Sequence, residues 1–473
     1  MNFKYIKIST AQDVNKYLIG MKRLFLTAII VASGPVIFSQ KNDLNSRIKS
    51  TVNEITEYER NIYTDLHKNP ELSQMETATP AKLASELMKL GFEVTDGVGV
   101  NGVVGLLRNG KGKVIMLRTD MDALPVKENT GLPYASTVIM KDAAGNESPV
   151  MHACGHDLHM TTWLGTLSTL VALKKEWKGT IMAVAQPAEE GSIGAQAMIN
   201  DGLFKRFPVP DYALCYHVSA ELPAGVVGYY PGPICAGVRS AEITVYGTGG
   251  HGAMPHTTID PIVIAARIII DIQTIVSREI NPVKPAVVTV GAIHGGIKNN
   301  IIPDEVKMLL TIRFFEDDVF STIKESLINI TRGAAITAGL PENKMPLVLF
   351  SEGVTPPVSN NPELVMKVAD SMKNILGDDK LIRVDPATVA EDFGKYGLTD
   401  EKIPIAIFWL GGVNPEKYSD HMKNGTPLTP LHNSTFTPDF VPTFKTGVAA
   451  MSKTVINLVG NDYPAQLSLS RLR

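Results

Sequence analysis

Cysteine is scarce in this chain: 473 residues carry three, Cys154, Cys215 and Cys235. An exported scaffold stapled by disulfides packs more of them into a shorter chain, so that architecture is excluded. A Cys215–Cys235 bridge and a pair of buried free thiols both stay open. No cysteine lies near the N-terminus, so nothing suggests a lipid-anchored start. A surplus of one charge is lacking too: 45 Lys and Arg face 48 Asp and Glu. That balance gives no electrostatic ground for a nucleic-acid partner. There is no internal repeat and no low-complexity tract. The apolar run near the N-terminus, Leu24 to Phe38, is 15 residues long and broken by Gly34-Pro35. A membrane span needs about 20.

That run follows Met21-Lys22-Arg23 and precedes Ser39-Gln40. A basic start, an apolar middle and a small polar end read as a secretory signal over residues 21–40. Residues 1–20 then lie upstream of the true start, and the expected location is secreted or periplasmic. A short anchor or a non-exported start is the other reading.

What is present is an ordinary globular composition, 44% hydrophobic and 20% charged. The length suits two or three domains of roughly 100–200 residues each. Residues 44–66 have a helical pattern. "TPAKLASELMKLGFEV" places apolar residues at 83, 84, 87, 88 and 90 before Gly91, an amphipathic helix with a glycine stop. Val114–Leu117, "GTIMAVAQPAEEG" and "DYALCYHV" read as buried strands, and "TTWLGTLSTLVALKKE" as a helix. Alternating strands and helices imply an α/β sheet. Two phosphate-loop look-alikes, "GVGVNG" (97–102) and "GLLRNGKG" (105–112), each lead into a strand rather than a helix, and read as turns.

A second unit begins near Val238. "SAEITVYGTG", "DPIVIAARIIIDIQTIVSREI", "AVVTVGAIHGG", "DEVKMLLTIRFF", "VFSTIKESLINITRGAAITAG" and "PLVLFSEG" follow as β-α-β-β-α-β, a ferredoxin-like order. It is expected as an insertion over residues 238–352, between segments 41–237 and 353–473 of the larger α/β unit.

Acids and imidazoles gather at the carboxyl ends of the predicted strands. Asp120 and Asp122 follow "VIML", Glu189 and Glu190 follow "TIMAVAQPA", and His217 follows "YALCY". In open α/β sheets that edge is where sites are built. Between them in sequence, "VMHACGHDLHM" crowds His152, Cys154, His156, Asp157 and His159 around Gly155. Thiolate, imidazole and carboxylate together suit zinc, manganese, cobalt or nickel and do not suit calcium. Of the adjacent glutamates, one can bind metal while its neighbour takes a proton from a water whose pKa the metal has lowered. A Cys154 nucleophile with His156 as its base is the competing reading. His67, His294 and His421 read as lone core histidines.

Here the residues match a family. "RTDMDALP", "HACGHDLH", "QPAEEG", "YHV", "GGHGAMPH", "NNIIPD", "AEDFG" and "LTPLHNSTF" come in the order found in the aminoacylase/carboxypeptidase family of dinuclear metallohydrolases. The chain most resembles the branch with hippurate hydrolase, N-acyl-amino-acid amidohydrolases and indole-acetyl-amino-acid hydrolases, over about residues 50 to 460. The resemblance implies a zinc-peptidase-like catalytic domain with an inserted lid and dimerisation domain. It implies two divalent ions per subunit, Mn²⁺ or Zn²⁺ with Co²⁺ or Ni²⁺ as alternatives, on Cys154, His156, Glu190, His217 and His432. Glu189 becomes the general base and Asp122 an orienting carboxylate. His251 becomes the lid histidine that steadies the oxyanion. Asn300 becomes a lid residue near the substrate, and Arg313 a residue that aids substrate or lid contacts. From the residues themselves, His159 and Asp157 read either as groups that back the ligands or as substrate-side groups. The implied activity is hydrolysis of the amide bond of N-acyl amino acids by a metal-activated water, with a small-molecule substrate, no nucleic acid, no stable membrane span and a homodimer formed through the lid.

A dipeptidase or carboxypeptidase, or a non-catalytic metal- or peptide-binding protein of the same fold, is the alternative. Departures from the branch pattern occur at "AEEGSIGAQ", at Lys298-Asn299, in "LLTIRFF" and at Cys235. They bear on substrate preference, since none is a presumed ligand. The signal reading predicts that Edman or mass-spectrometric sequencing of the native mature protein finds its first residue downstream of the apolar run. A first residue upstream of Met21 would overturn it.

Overall fold

The computed structural model describes residues 37–460 apart from 143, 144, 352 and 354. The expected signal lies outside the described residues up to position 36, as do residues 1–20. The chain divides into units Met1–Ser50 and Thr51–Arg473. Helix α1, Ile37–Lys68, begins in the first and continues into the second. Among the described residues no helix is long and apolar enough to cross a membrane.

In chain order the second unit continues with α2 (Ala78–Lys89), β1 (Glu93–Val98), β2 (Gly102–Asn109), β3 (Val114–Asp120), α3 (His156–Ala172), β4 (Gly179–Gln186), β5 (Tyr212–Pro223) and β6 (Val227–Tyr229). Then come β7 (Gly237–Tyr246), α4 (Pro261–Thr274), β8 (Ala286–Gly295), β9 (Glu305–Phe314), α5 (Asp317–Thr337) and β10 (Leu347–Phe350). The chain ends with α6 (Pro362–Leu376), β11 (Leu381–Arg383), β12 (Ile405–Val413) and α7 (Phe440–Val459).

The large sheet runs β1-β2-β4-β3-β5-β12-β6-β11. Its middle strands β4, β3, β5 and β12 are parallel and almost wholly buried, as their continuous apolar runs require. Register sets Asp120 level with Gln186, Leu117 with Leu214, and Trp409 with His217. The chemical residues predicted at strand ends therefore emerge side by side. One face carries α3 and α7. Gly165 on α3 allows their close approach, because a Cβ there would lie 2.7 Å from the buried Phe444 ring. The other face is a core that includes Met116, Met182, Cys215, Cys235, Phe393 and Tyr396. Cys215 and Cys235 are buried free thiols, so the bridge is not formed.

On α2 the predicted stripe holds at Leu83, Ala84 and Leu87, whereas Met88 is exposed. The first look-alike is a turn between β1 and β2, with Gly97 and Gly99 at positive φ; most of the second, 105–109, is the end of strand β2, and only 110–112 form the turn, with Gly110 at positive φ.

Between Gly237 and Phe350 the second sheet is wholly antiparallel, in the order β8-β9-β7-β10. With its helices it is the expected ferredoxin-like βαββαβ insert. It has its own core, including Ile243, Val245, Ile268, Met308, Ile312, Ile323 and Leu327. Pro261 starts α4 behind Asp260, whose carboxylate accepts from the Ile262 N–H at 2.9 Å. His294 is exposed on β8 and so is not a core residue, and His421 sits half-buried on a surface helix with Nδ1 on the Thr426 carbonyl at 2.8 Å.

Glu59 on α1 is only 1% exposed. Burial pushes its carboxyl up to about 8; the Ser168 hydroxyl works against this and Glu86 adds to it. The folded state then holds a proton that the unfolded chain gives up near pH 4.5. Stability from this site is complete at low pH and is lost as pH rises through about 8. Glu59→Gln removes that loss. From about pH 5 to about pH 8 the variant's melting temperature should gain steadily on that of the native protein and then level off. Parallel pH curves would show that Glu59 ionises normally.

Candidate metal centre and active site

The site starts from one tight turn. Gly155 caps α3 at φ 78, and a Cβ there would meet Val218 Cγ1 of β5 at 2.6 Å. Glycine thus lets Cys154 and His156 leave the backbone on either side of it, close against β5. Cys154 Sγ lies 3.5 Å from His217 Nε2 and 3.2 Å from His432 Nε2. His432 closes the cluster from the solvent side, at a non-glycine φ of 62, and its N–H donates to the Ala153 carbonyl at 2.8 Å.

Two of the rings are oriented from behind. His156 Nδ1 donates to the Asp122 carbonyl at 2.8 Å, and His217 Nδ1 donates to the Val218 carbonyl at 2.8 Å. Each therefore aims Nε2 into the cluster, the way ligating histidines are held. His156 Nε2 lies 3.8 Å from Glu190 Oε1 and 4.0 Å from Glu189 Oε2, and Glu190 Oε1 lies 3.5 Å from His432 Nε2. Both His156 Nε2 and Glu190 Oε1 are buried with no hydrogen-bond partner. Unpartnered buried polar atoms cost free energy in a plain core. Here they face each other across a gap that ligand-type atoms surround. Cys154/His156/His217 and Cys154/Glu190/His432 each gather within 4.8 Å and share the thiol. The donor set fits borderline-soft divalent ions.

The glutamate pair is pinned through its backbone. Asp122 accepts from the N–H of Glu189 at 3.1 Å, from the N–H of Glu190 at 3.0 Å, and from the Ser73 hydroxyl. Glu76 Oε1 accepts from the Ala188 N–H at 2.8 Å, holding Ala188 at an unfavourable φ of 50. Behind Glu189 lies an ion network. The buried Arg118 guanidinium reaches Asp120 at 2.7 Å, Glu391 at 2.9 Å, Asp392 at 3.2 Å and Gln186 Oε1 at 3.0 Å.

The electrostatics of the bare chain favour a dication. Burial, then Glu391 and Glu190, push the Glu189 carboxyl well above the usual range. Burial also lifts Glu190 to about 7 and raises the Cys154 thiol. Cation binding reverses all three and releases protons. A raised thiol is the opposite of what a cysteine nucleophile needs, and Cys154 Sγ sits within both candidate ligand triads; both facts count against the Cys154 hydrolase reading.

Other expected site residues stand elsewhere. His159 Nδ1 donates to Asp120 at 2.7 Å and its Nε2 accepts from the Val218 N–H at 2.7 Å. Both nitrogens are spent on contacts that tie β3 to β5, which favours the reading of His159 as a group backing the ligands over the substrate-side one. His152 is buried with neither ring nitrogen hydrogen-bonded. His251 and Asn300 are exposed at a small ribbon that pairs Gly250–His251 with Ile301–Ile302, and Gly252 N–H donates to the Asn300 carbonyl at 2.9 Å. Arg313 donates to Thr311 Oγ1 at 2.6 Å. Among the described residues none of these three shares a hydrogen bond or ion pair with the cluster. Sequence reasoning missed Arg118, Glu391, Asp392 and Glu76. The "AEDFG" pair repeats the paired-acid pattern of "AEEG", a signal that could have drawn attention to Glu391 and Asp392.

An α/β sheet with a gathered N/S/O donor set at its carboxyl edge is the arrangement of a metal-dependent α/β protein. The chain matches the model of peptidase family M20/M25/M40 over residues 116–426. It is 39% identical over 389 residues to thermostable carboxypeptidase 1 of Saccharolobus solfataricus, covering 80% of this chain and 93% of that protein. It is 36% identical over 345 residues to hippurate hydrolase of Campylobacter jejuni, covering 72% and 85%. A solved Bacillus subtilis structure, titled a dinuclear metal-binding peptidase of family M20, matches with TM-score 0.70 at 26% identity, covering 86% of this chain and 99% of that one. The chain belongs to the M20/M25/M40 peptidase family and is a hydrolase of that family.

Arg118→Met would leave Asp120, Glu391 and Asp392 buried without their counterion. Denaturant unfolding at neutral pH should show a loss of about 3–5 kcal/mol, and Arg118→Lys should restore only part of it because the forked contacts go. A loss under about 1 kcal/mol for the Met variant would contradict this role.

Proposed function

We propose that this chain is a metal-dependent amidohydrolase that cleaves the amide bond of N-acyl amino acids or related small conjugates. One observation carries the reading. Two candidate ligand triads share Cys154, and the Glu189 carboxylate is set beside them on a backbone that Asp122 pins. A mere binding protein has no need of that second glutamate.

Cys154, His156, Glu190, His217 and His432 are the proposed ligands. Two divalent ions held there, manganese or zinc before cobalt or nickel, supply Lewis acidity toward the amide carbonyl and toward the attacking water. Glu189 takes the proton that the water gives up and passes it to the leaving nitrogen. Asp122 keeps Glu189 and Glu190 in register for their separate tasks. His251, whose Nδ1 accepts from the Ala253 N–H at 3.0 Å, keeps Nε2 free to donate to the developing oxyanion once the small domain closes. Asn300 and Arg313 travel with that domain toward the substrate. The same insert, residues 238–352, is the proposed dimerisation unit, and export is the proposed localisation.

A carboxypeptidase or dipeptidase reading is kept because a relative at 39% identity carries the name carboxypeptidase. The bond cleaved is again an amide next to an amino acid.

The test is release of free amine from acetyl, benzoyl, indole-acetyl and long-chain acyl amino acids, with dipeptides as controls. Chelation should abolish release, and manganese or zinc should restore it. Glu189→Gln should lower kcat roughly 10²–10⁴-fold with metal content unchanged. Turnover by dipeptides alone would move the assignment to the peptidase reading. Native turnover by the Gln variant would place the base elsewhere.

A further inference from the structure

His67 on α1 is 1% exposed, yet it is not an idle core residue. Its Nδ1 lies 2.6 Å from Asp157 Oδ2 and its Nε2 lies 3.0 Å from Glu128 Oε1. Both carboxylates are themselves buried, at 1% and 0% exposure. A ring that faces two carboxylates donates from both nitrogens and carries positive charge. Burial works against that charge, but the two hydrogen bonds and two opposite charges hold the ring's pKa up at about 10. The Tyr63 and Tyr134 rings wall the site, with centroids 5.7 and 5.3 Å from that of His67.

The contacts leaving this triad run to the proposed ligands on both sides. Asp157 directly follows His156 and also accepts from the Leu158 N–H at 2.8 Å. Glu128 accepts from the Ser136 N–H at 2.6 Å and from the Thr130 hydroxyl. Its neighbour Asn129 donates its N–H to the Ser434 carbonyl at 2.7 Å. Two residues back, the His432 N–H donates to Ala153, the residue before Cys154, at 2.8 Å. The circuit closes: Ala153–Asp157, His67, Glu128–Asn129, Ser434–His432, and Ala153 again. His432 sits in a left-handed conformation that a non-glycine residue keeps only when its surroundings hold it.

We propose that His67 is a positioning residue for the metal centre: clamped between Asp157 and Glu128, it sets the spacing of His432 from the Cys154–His156 pair. This rests on the reading of those three residues as ligands. No contact of His67 with substrate is involved. Without the clamp the Glu128–Ser434 side is free to drift, and the donor set that His432 completes is no longer held ready. Loss of such supporting contacts typically weakens metal affinity roughly 10–100-fold.

The experiment uses the full chain, stripped with chelator and titrated with Co²⁺, reading both Kd and the thiolate-to-cobalt absorption band. Cys154→Ser marks that band by removing it. His67→Gln and Glu128→Gln should each weaken binding roughly 10–100-fold and shift the band. The double variant should be no weaker than the worse single one, because both cut the same circuit. Native affinity and an unshifted band in the folded variants, even with lowered melting temperature, overturn the proposal. Should His67→Gln fail to fold, Glu128→Gln decides alone. A native chain that takes up no cobalt overturns the ligand reading itself, and the proposal with it.

Discussion

Much of this molecule is arranged around one nitrogen with nothing to bond to. His156 Nε2 is buried and unpartnered, while the ring's other nitrogen is held by the Asp122 carbonyl and fixes where Nε2 points. A protein interior does not leave such an atom facing a second orphan, Glu190 Oε1, without compensation. The compensation on the proposed reading is a divalent cation, and the surrounding charges are consistent with one. Burial raises the pKa of the Glu189 and Glu190 carboxyls and of the Cys154 thiol, and a dication would stabilise their ionised forms.

Holding that arrangement takes supports from distant parts of the chain. Parallel register brings the ends of β3 and β4 level, and β5 lies beside β3. Asp122 then bridges from the end of β3 to the backbone after β4, so two glutamates adjacent in sequence keep separate orientations. Arg118 balances the acids behind Glu189. His67 does the same for the acids behind His156. Both sides of the centre are therefore backed by buried cations. Such pairs contribute little to net stability against an apolar core of equal volume. Their value here is geometric: Arg118 fixes acids packed behind Glu189, and His67 fixes Asp157, which directly follows the proposed ligand His156.

The sheet, the insert and much of the site were legible in the sequence, for a physical reason. Buried parallel strands must be continuously apolar, so Val114–Leu117 and "TIMAVAQ" announce themselves, and polar residues at their ends stand out. Gly155 between a thiol and an imidazole is a local signal as well. His432 was reached only through the family resemblance, because its contact with Cys154 spans 278 positions. His67 was read as a lone core histidine; it is buried as expected, but it is paired with two carboxylates 61 and 90 positions away that the sequence does not bring together. Arg118 sits inside a strand, where sequence cannot show which buried acids will meet it. His159 follows His156 by three on a helix, which gives proximity but not ring orientation. Only the Val218 N–H and Asp120 show that its nitrogens are used up. His251 and Asn300 were legible as motif members, and the structure places both, exposed, at the small ribbon Gly250–His251/Ile301–Ile302.

The most direct measurement is anomalous diffraction from crystals grown with zinc or manganese. Two peaks are predicted, both among Cys154, His156, Glu190, His217 and His432, with Glu189 near but not bound. Density free of anomalous signal at that cluster, with Cys154 Sγ still within hydrogen-bond reach of His432, would contradict it.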